Sequence, residues 1–233
     1  MTPDTPGTSQ RIVALVPMRH SSERVPGKNF RPLAGRPLYH HIVEALLAAD
    51  RIDTILIDTD SPVIHEDCAR SFPQVRLVER PRALQGGEVP MNEILLHDVE
   101  EIRADLYLQT HSTNPLLKTA TINRAIEAML AGADEHDSLF GVTRWQTRLY
   151  DADRRPMNHD PSKLLRTQDL PPVYEENSNL YIFTGENLRR SRNRIGRSPI
   201  LFEIDRLESI DIDDEDSFRL AELLSATVAH GGV

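Results

Sequence analysis

Short apolar runs alternate along the chain with stretches of helical periodicity. The runs are rich in Val, Ile and Leu and predict buried strands, whereas the stretches between them repeat apolar residues every three or four positions and predict helices. Because strands that alternate with helices form layered folds, the pattern predicts an α/β protein. The predicted strands are residues 12–16, 54–58, 75–78, 106–109, 139–142, 180–183 and 200–204, and the predicted helices are residues 37–49, 62–72, 90–102, 119–130, 185–194 and 215–224.

One long stretch interrupts this alternation. Residues 144–177 are rich in proline and charge and contain few apolar runs, so they cannot bury a core of their own. We therefore interpret them as an excursion from the sheet and predict one domain over residues 11–229. Residues 1–10 are polar and contain two prolines, and we predict a short disordered tail there.

Charge and composition exclude several classes of protein. The net charge of −9 argues against a general nucleic-acid binder, which is usually basic. We expect no membrane span, because no run of roughly 18 or more apolar residues is present, and no signal peptide, because the first residues lack its basic and apolar parts. The single cysteine, Cys68, excludes an internal disulfide and fits a reducing compartment, which predicts a cytoplasmic protein.

A cationic loop, residues 17–31, follows the first predicted strand. It carries Arg19, Arg24, Lys28 and Arg31. Open α/β sheets bind ligands at the carboxyl ends of their strands, and Arg and Lys suit phosphate oxygens, so the loop is a candidate cradle for a nucleoside triphosphate. The alternative is a solvated charged loop. The chain has neither GxxxxGK[ST] nor GxGxxG, so neither a P-loop protein nor a dinucleotide-binding protein is indicated.

Asp211 and Asp213 form a second candidate site. In an extended chain, residues i and i+2 point to the same face, so the two carboxylates would project together while Ile210 and Ile212 face the core. Two convergent carboxylates beside a triphosphate suit Mg²⁺. The alternative is an edge strand that leads into an acidic helix start, which the helix dipole favours by itself.

Two further groups of polar residues follow predicted strands. Asp58 and Asp60 repeat the spacing of the acidic pair, but Asp60 lies just before a helix N-cap, so we rank this pair second as a metal site. Gln109 and the loop at residues 110–114 offer neutral hydrogen-bonding groups that suit a polyhydroxylated ligand, and the alternative is loop capping. His111 is a candidate acid or base, although a lone loop histidine more often has no such role.

Motifs distributed over the chain match one known pattern. The opening motif, Val16 to Leu38, and the segment Ser209–Asp213 carry most of the match, which covers residues 12–224. The other matching segments are Asp58–Asp60, Glu79–Pro81, Leu108–Gln109 with Asn114–Leu116, Arg166–Pro172, Asn177–Ile182 and Ala221–Glu222. In this combination the chain resembles the acylneuraminate cytidylyltransferases, or CMP-sialic acid synthetases.

The resemblance implies a single three-layer, Rossmann-like nucleotidyltransferase domain with a mixed, mostly parallel sheet, whose excursion at residues 144–177 builds a homodimer. It implies that CTP and a 3-deoxy-2-ulosonic acid, an acidic sugar, react to give a CMP-sugar and pyrophosphate with Mg²⁺ as cofactor. Arg19, Lys28 and Asp211 would be catalytic. The implied binding residues are Arg19, Lys28, Asn29 and Arg80 for the nucleotide, Gln109, Arg166 and Asn177 for the sugar, and Asp211 and Asp213 for Mg²⁺.

Three departures from the family pattern keep other functions open. Glu23 stands where the family has a lysine, the loop after Gln109 is longer, and Glu175 and Glu176 precede Asn177. Two acids at that position would repel an acidic sugar unless they are turned away. The alternatives are therefore a nucleotidyltransferase for another acceptor (a Kdo-like sugar, a sugar 1-phosphate or a phosphonate) and a nucleotide-binding protein that lacks catalysis.

Overall fold

The computed structural model describes residues 10–230, with side chains to residue 226, so the predicted tail lies outside the described residues apart from Gln10. Short 3₁₀ turns form at Lys28–Phe30, Arg82–Leu84 and Thr167–Asp169. The strands are β1 (Ile12–Leu15), β2 (Pro32–Leu33), β3 (Arg36–Pro37), β4 (Thr54–Thr59), β5 (Arg76–Glu79), β6 (Leu106–Thr110), β7 (Ser138–Trp145), β8 (Val173–Phe183) and β9 (Pro199–Glu203). The helices are α1 (Leu38–Leu47), α2 (Pro62–Ser71), α3 (Met91–Glu101), α4 (Thr119–Ala131), α5 (Gly185–Ser191) and α6 (Glu215–His230).

Seven of these strands form one sheet in the order β5-β4-β1-β6-β8-β7-β9, and β2 pairs with β3 in a small separate hairpin. β8 runs antiparallel to β6 and β7, while all other neighbours in the large sheet are parallel. The carboxyl ends of β1, β4, β5 and β6 therefore lie at the same edge of the sheet. The predicted mixed, mostly parallel sheet is confirmed.

Helices cover both faces of the sheet, so alternate residues of a central strand belong to different cores. In β1, Ile12 and Ala14 belong to the core beneath α1, α2 and α4, whereas Val13 and Leu15 belong to the core beneath α3 and α5. All four residues are fully buried. Burial on both faces explains why this strand is a continuous apolar run, and it confirms the predicted three-layer α/β domain.

Side-chain caps determine where two of the helices begin. The Ser61 Oγ accepts a hydrogen bond from the Ile64 N–H (3.3 Å) at the start of α2, and the Thr184 Oγ1 accepts one from the Asn187 N–H (3.1 Å) at the start of α5. These bonds satisfy amides that the first turn of a helix leaves unpaired. None of the helices within residues 10–230 has both the length and the hydrophobicity to cross a bilayer.

The sheet extends further into the predicted excursion than the sequence pattern indicates. β7 continues to Trp145 and β8 already begins at Val173, and their ends pair as an antiparallel ribbon. Tyr174, Glu175 and Glu176 in this ribbon are exposed, so the apolar pattern that marks a buried strand is missing there. Residues 146–172 are the part of the excursion that lies outside the sheet.

The cap of α2 yields a stability prediction. Replacing Ser61 with alanine should lower the free energy of unfolding by about 1 kcal/mol, because the Ile64 amide loses its acceptor. The matched control is Ser71→Ala at the exposed last residue of the same helix, where the hydroxyl makes only a long contact with Asp67 (3.5 Å). That substitution should cost less than about 0.5 kcal/mol. Urea unfolding measures both values, and equal losses in the two variants would contradict the assigned capping role.

Candidate functional site

A cleft of about 510 Å³ opens at the edge of the sheet where β1, β5 and β6 end. Its walls come from the loops that follow these strands, together with the first turn of α3. Open α/β sheets bind ligands at this edge. Six of the nine predicted site residues line the cleft: Arg19, Lys28, Asn29, Arg80, Asp211 and Asp213.

The cationic loop owes its shape to a glycine. Gly27 has φ of +64°, a left-handed conformation that residues with a side chain rarely adopt. A Cβ atom at this position would also lie only 2.8 Å from the ring of Phe30. The left-handed residue begins the 3₁₀ turn Lys28–Phe30, which brings Lys28 into the cleft wall.

Asn29 ties the cationic loop to the loop that follows β6. Its side-chain Nδ2 donates to the Arg19 carbonyl (2.7 Å), and its Oδ1 accepts from the Ser112 hydroxyl (2.6 Å). Asn29 therefore positions the backbone of the loop from within the predicted nucleotide site.

Across the cleft, a Cβ atom at Gly87 would lie 3.2 Å from the Arg19 guanidinium, so a glycine at this position allows the guanidinium to approach the backbone closely.

The cationic loop meets an acidic segment, residues 209–215, from the far end of the chain. The polar contacts are Lys28 Nζ to the Ile212 carbonyl (2.6 Å), Arg24 Nη2 to Asp213 Oδ1 (2.7 Å) and Arg31 Nη1 to Glu215 Oε1 (2.7 Å). Beneath them lies a small apolar cluster of Val25, Leu33, Leu38, Ile212, Phe218 and Ala221. The sequence-based expectation that positive groups near the start and two acids near the end share one cleft is thus met.

The acidic segment is a loop outside the described strands, so the alternative of an edge strand does not apply to it. The Ile212 N–H donates to the Thr113 carbonyl (2.9 Å), and the Asn114 side chain donates to the Ile210 carbonyl (3.3 Å). These bonds replace the sheet neighbours that an edge strand would have. Ile212 is fully buried, as predicted, whereas Ile210 is only half-buried.

Asp211 has the properties expected of a cation ligand. Its Oδ1 is buried and has no hydrogen-bond partner among the described residues. Burial raises the pKa of Asp211 and lowers the pKa of Lys28, because both charges are held away from water. An unpartnered carboxylate oxygen next to the exposed carboxylate of Asp213 fits the oxygen preference of Mg²⁺.

A second cavity, of about 420 Å³, adjoins the cleft. Asp211 and Asp213 line both spaces, so the two acids stand at their boundary. The remaining walls come from the ribbon of β7 and β8 and from the loop before the acidic segment. The other lining residues are Thr143, Trp145, Glu175, Glu176, Asn177, Ser178, Arg206, Ser209 and Ile210.

Asn177, predicted on the sugar side, lies in the wall of this second cavity. Its Nδ2 donates to the Thr143 hydroxyl (3.2 Å), and its Oδ1 accepts from the Asn179 N–H (3.2 Å). A Cβ atom at Gly141 would lie 2.7 Å from that Oδ1, so the glycine at the bulge of β7 makes room for the amide.

Both acids that precede Asn177 are held by hydrogen bonds. Glu175 Oε2 accepts from the Trp145 indole N–H (2.7 Å), and Glu176 Oε1 accepts from the Tyr181 hydroxyl (2.5 Å). Both residues nevertheless line the second cavity.

Gln109 and Arg166 line neither cavity. Gln109 is fully buried, where its Oε1 accepts from Arg194 (2.5 Å) and its Nε2 lies 3.0 Å from the His111 ring. Arg166 is exposed and pairs with Asp169 through two contacts of 2.7 and 3.0 Å. Neither side chain stands beside Asp211 and Asp213, so their predicted sugar contacts remain predictions.

Asp58 and Asp60, the acidic pair ranked second as a metal site, hold other residues near the cleft in place through hydrogen bonds. Asp58 is fully buried, and its Oδ1 accepts from Arg80 Nε (2.6 Å). Asp60 Oδ1 accepts from the His20 N–H (2.7 Å) at the start of the cationic loop.

His111, the candidate acid or base, lies in the cleft. Desolvation and the charges of Arg194 and Lys28 lower its pKa to about 3, so the ring is neutral at physiological pH.

Two residues of the second cavity escaped the sequence analysis. Trp145 ends β7, and the Arg206 guanidinium stacks 4.4 Å above its ring. The signal available was weak: Trp145 is the only tryptophan of the chain and stands at the edge of a polar stretch. Their proximity depends on the β7–β8 ribbon, which the apolar pattern does not indicate.

Sequence comparisons find relatives that are named as cytidylyltransferases and as synthases of CMP-linked acids. An N-acylneuraminate cytidylyltransferase of Streptococcus agalactiae serotype V is 26% identical over 221 residues, which cover 88% of this chain and 51% of the relative. This chain thus spans about half of that relative's length. A CMP-N,N'-diacetyllegionaminic acid synthase of Legionella pneumophila is 28% identical over 228 residues, which cover 92% of this chain and 96% of the relative.

The fold itself has known counterparts. A solved structure of a CMP:2-keto-3-deoxy-manno-octonic acid synthetase complexed with CTP superposes with a TM-score of 0.70 at 14% identity, covering 93% of this chain and 99% of the other. At that identity the similarity concerns the fold alone. Residues 13–226, which include the cationic loop and the acidic segment, match the family model described as cytidylyltransferase, and the chain belongs to that family.

Proposed function

We propose that this protein transfers CMP from CTP to an acidic, sialic-acid-like 3-deoxy-2-ulosonic acid and releases pyrophosphate. The observation that carries the proposal is the position of Asp211 and Asp213 at the boundary between two cavities. One cavity has the cationic loop as its wall and suits a triphosphate. The other has hydroxyl, amide and carboxylate groups and suits a polyhydroxylated acceptor. The reacting phosphorus would lie between them.

The side chains of the cleft have complementary tasks in this reaction. Arg19 and Lys28 bind the phosphate oxygens and neutralise the charge that develops on the leaving pyrophosphate. Asp211 and Asp213 would hold Mg²⁺, which supplies further positive charge to the phosphates when bound. An acceptor hydroxyl oxygen forms the new bond to the α-phosphorus while the bond to the bridging oxygen of pyrophosphate breaks. The hydroxyl proton is released to water.

The second cavity favours an acceptor that offers hydrogen-bond donors. Glu175, Glu176 and Arg206 line it, so its wall contains hydrogen-bond acceptors as well as a cation for an acid group. An N-acylated acidic sugar has amide N–H groups for the carboxylates and a carboxylate of its own for the guanidinium. The Legionella relative, matched over nearly its full length, is named for an acid with two N-acetyl groups, which supports this class.

The first prediction concerns the reaction. With Mg²⁺, we expect pyrophosphate release from CTP, but not from ATP, GTP or UTP, in the presence of N-acetylneuraminate or a diacetylated analogue. Kdo, which lacks an N-acyl group, should react more slowly. A coupled phosphate assay measures each combination, with acceptor-free mixtures as the control.

Other outcomes of this assay favour the alternatives. Faster turnover of Kdo, a sugar 1-phosphate or a phosphonate would replace the proposed acceptor class. CTP binding in calorimetry without pyrophosphate release from any acceptor would favour a non-catalytic nucleotide-binding protein, for which Glu23 in the cleft wall is the distinguishing residue.

The second prediction concerns the acidic pair. Asp211→Asn should lower kcat at least about 100-fold, because an uncharged amide binds Mg²⁺ weakly and stabilises less of the developing charge. The Mg²⁺ concentration that gives half-maximal rate should rise. Asp216→Asn, at a side chain that is 93% exposed in the first turn of α6, is the matched control and should keep the normal rate. Near-normal turnover in Asp211→Asn would contradict the assigned role.

We also propose that the protein forms a homodimer through its excursion. Several large apolar side chains within residues 146–172 face solvent, and Leu164 is 89% exposed. Where exposed apolar side chains form a contiguous patch, they mark a protein–protein contact surface. A second copy of the chain is the partner that the family resemblance implies.

Leu164→Asp should therefore shift the protein from dimer to monomer in sedimentation velocity, because a carboxylate is costly to bury in an apolar interface. Leu220→Asp introduces the same change on α6 at a side chain that is 47% exposed, and should leave the dimer intact. A wild-type protein that sediments as a monomer at high micromolar concentration would overturn the proposal.

A further inference from the structure

Three ionisable side chains converge next to Arg80. Asp58 lies on β4, and His97 and Asp98 lie on α3. One ligand atom from each falls within 4.8 Å of the others. Asp58 and Asp98 are fully buried, while the His97 side chain is 22% exposed and leaves a path from solvent.

Four buried polar atoms of this cluster make no regular hydrogen bond with the described residues. They are Asp58 Oδ2, His97 Nδ1 and both carboxylate oxygens of Asp98, and His97 Nδ1 lies only at ion-pair distance from the two carboxylates. Buried polar atoms without partners are rare in folded proteins because the lost hydration is not replaced. Unpaired atoms of three residues that point toward a common centre indicate that something occupies that centre.

The distances between these atoms fit ligands around one metal ion. His97 Nδ1 lies 3.4 Å from Asp58 Oδ2 and 3.5 Å from Asp98 Oδ1. Zinc binds nitrogen and carboxylate oxygen at about 2.0–2.2 Å, so tetrahedral ligands of zinc are about 3.4 Å apart. We propose that Asp58, His97 and Asp98 bind a divalent transition-metal ion of the zinc type, a site separate from the Mg²⁺ site at Asp211 and Asp213.

The surroundings of the cluster supply the partners that such ligands need. Metal-bound histidines usually donate their second ring N–H to a carboxylate, and Glu101 Oε1 lies 3.8 Å from His97 Nε2. Arg80 Nε occupies the other oxygen of Asp58 at 2.6 Å. Arg80 balances the charge of one of the two buried carboxylates, and a further positive charge at the cluster is needed to balance the other.

A proton is the competing occupant of the cluster. Burial, together with the neighbouring Asp58, raises the pKa of Asp98, so its carboxyl could donate a hydrogen bond to Asp58. Contact with Asp98 and the charge of Asp58 also raise the pKa of His97, so a protonated His97 would supply the positive charge in this alternative. A metal ion satisfies all three side chains at once, and a nitrogen ligand selects zinc-type ions over Mg²⁺.

The site would hold α3 against β4 and thereby fix Arg80. Asp58 would bind the ion through Oδ2 while its Oδ1 accepts from Arg80, which lines the cleft. The ion is thus a structural support for a cleft residue. The inference rests on the cluster itself and does not depend on the proposed activity.

Co²⁺ and Zn²⁺ added to chelator-treated protein test this inference. We use an Asp211→Asn background so that the cleft acids do not contribute. One equivalent of Co²⁺ should give the intense visible bands of tetrahedral coordination, and Zn²⁺ should displace it. Zn²⁺ should also raise the Tm, because it binds the folded state. These readouts are independent of catalysis.

Matched variants locate the bound ion. His97→Gln and Asp98→Asn should lose the bands and the Tm increase, while His65→Gln, which changes a partly buried histidine of α2, should keep both. Glu101→Gln, at an exposed position, should weaken Zn²⁺ binding by about 10- to 100-fold. Circular dichroism confirms that each variant is folded.

Two results would overturn the inference. Absence of tetrahedral Co²⁺ bands and of a Zn²⁺-dependent Tm increase in the parent protein would assign the cluster to a shared proton. Bands that persist in both His97→Gln and Asp98→Asn would place the ion elsewhere. The Glu101 variant keeps the test decisive if either ligand variant fails to fold, since unchanged Zn²⁺ affinity in it would contradict the assigned coordination.

Discussion

The cleft depends on contact between the cationic loop and the acidic segment, which lie far apart in the sequence. Lys28 and Arg24 contact the acidic segment directly, and the apolar cluster that includes Ile212 and Phe218 holds the two stretches in register beneath those contacts. The polar contacts alone would contribute little at this partly exposed surface. Apolar burial fixes the position, and the charges then define which ligand the position suits.

Much of the fold could be predicted because strands that are buried on both faces of a sheet are rich in apolar residues. β1 is a continuous apolar run, β4 has a central apolar run at Ile55–Ile57, and Ser61 marks the start of α2. Arg19 could be predicted for a related reason, because it lies in the loop after a strand that ends at the ligand-binding edge of the sheet, whereas Arg80 was predicted from the family resemblance. Strand ends are local features, so no long-range contact has to be known.

The remaining parts depend on contacts between distant residues. Gln109 stands at a strand end like the cleft residues, but Arg194 binds it from another part of the chain. The ribbon of β7 and β8 is exposed on both sides, so pairing with its neighbour, and not burial, makes it a strand. The second cavity is built on that ribbon, which explains why Trp145 and Arg206 carried no signal.

The bond between Arg24 and Asp213 has a consequence for how the cleft fills. One Asp213 oxygen cannot bind a guanidinium and a divalent ion equally well at the same time. In the structure, Arg24 is the group that neutralises the charge of Asp213. Under the proposed function, an ion held by Asp211 and Asp213 would compete with Arg24 for this oxygen. A displaced guanidinium would then lie in the wall of the cleft proposed for the triphosphate, so uptake of one charged ligand would depend on breaking an internal ion pair.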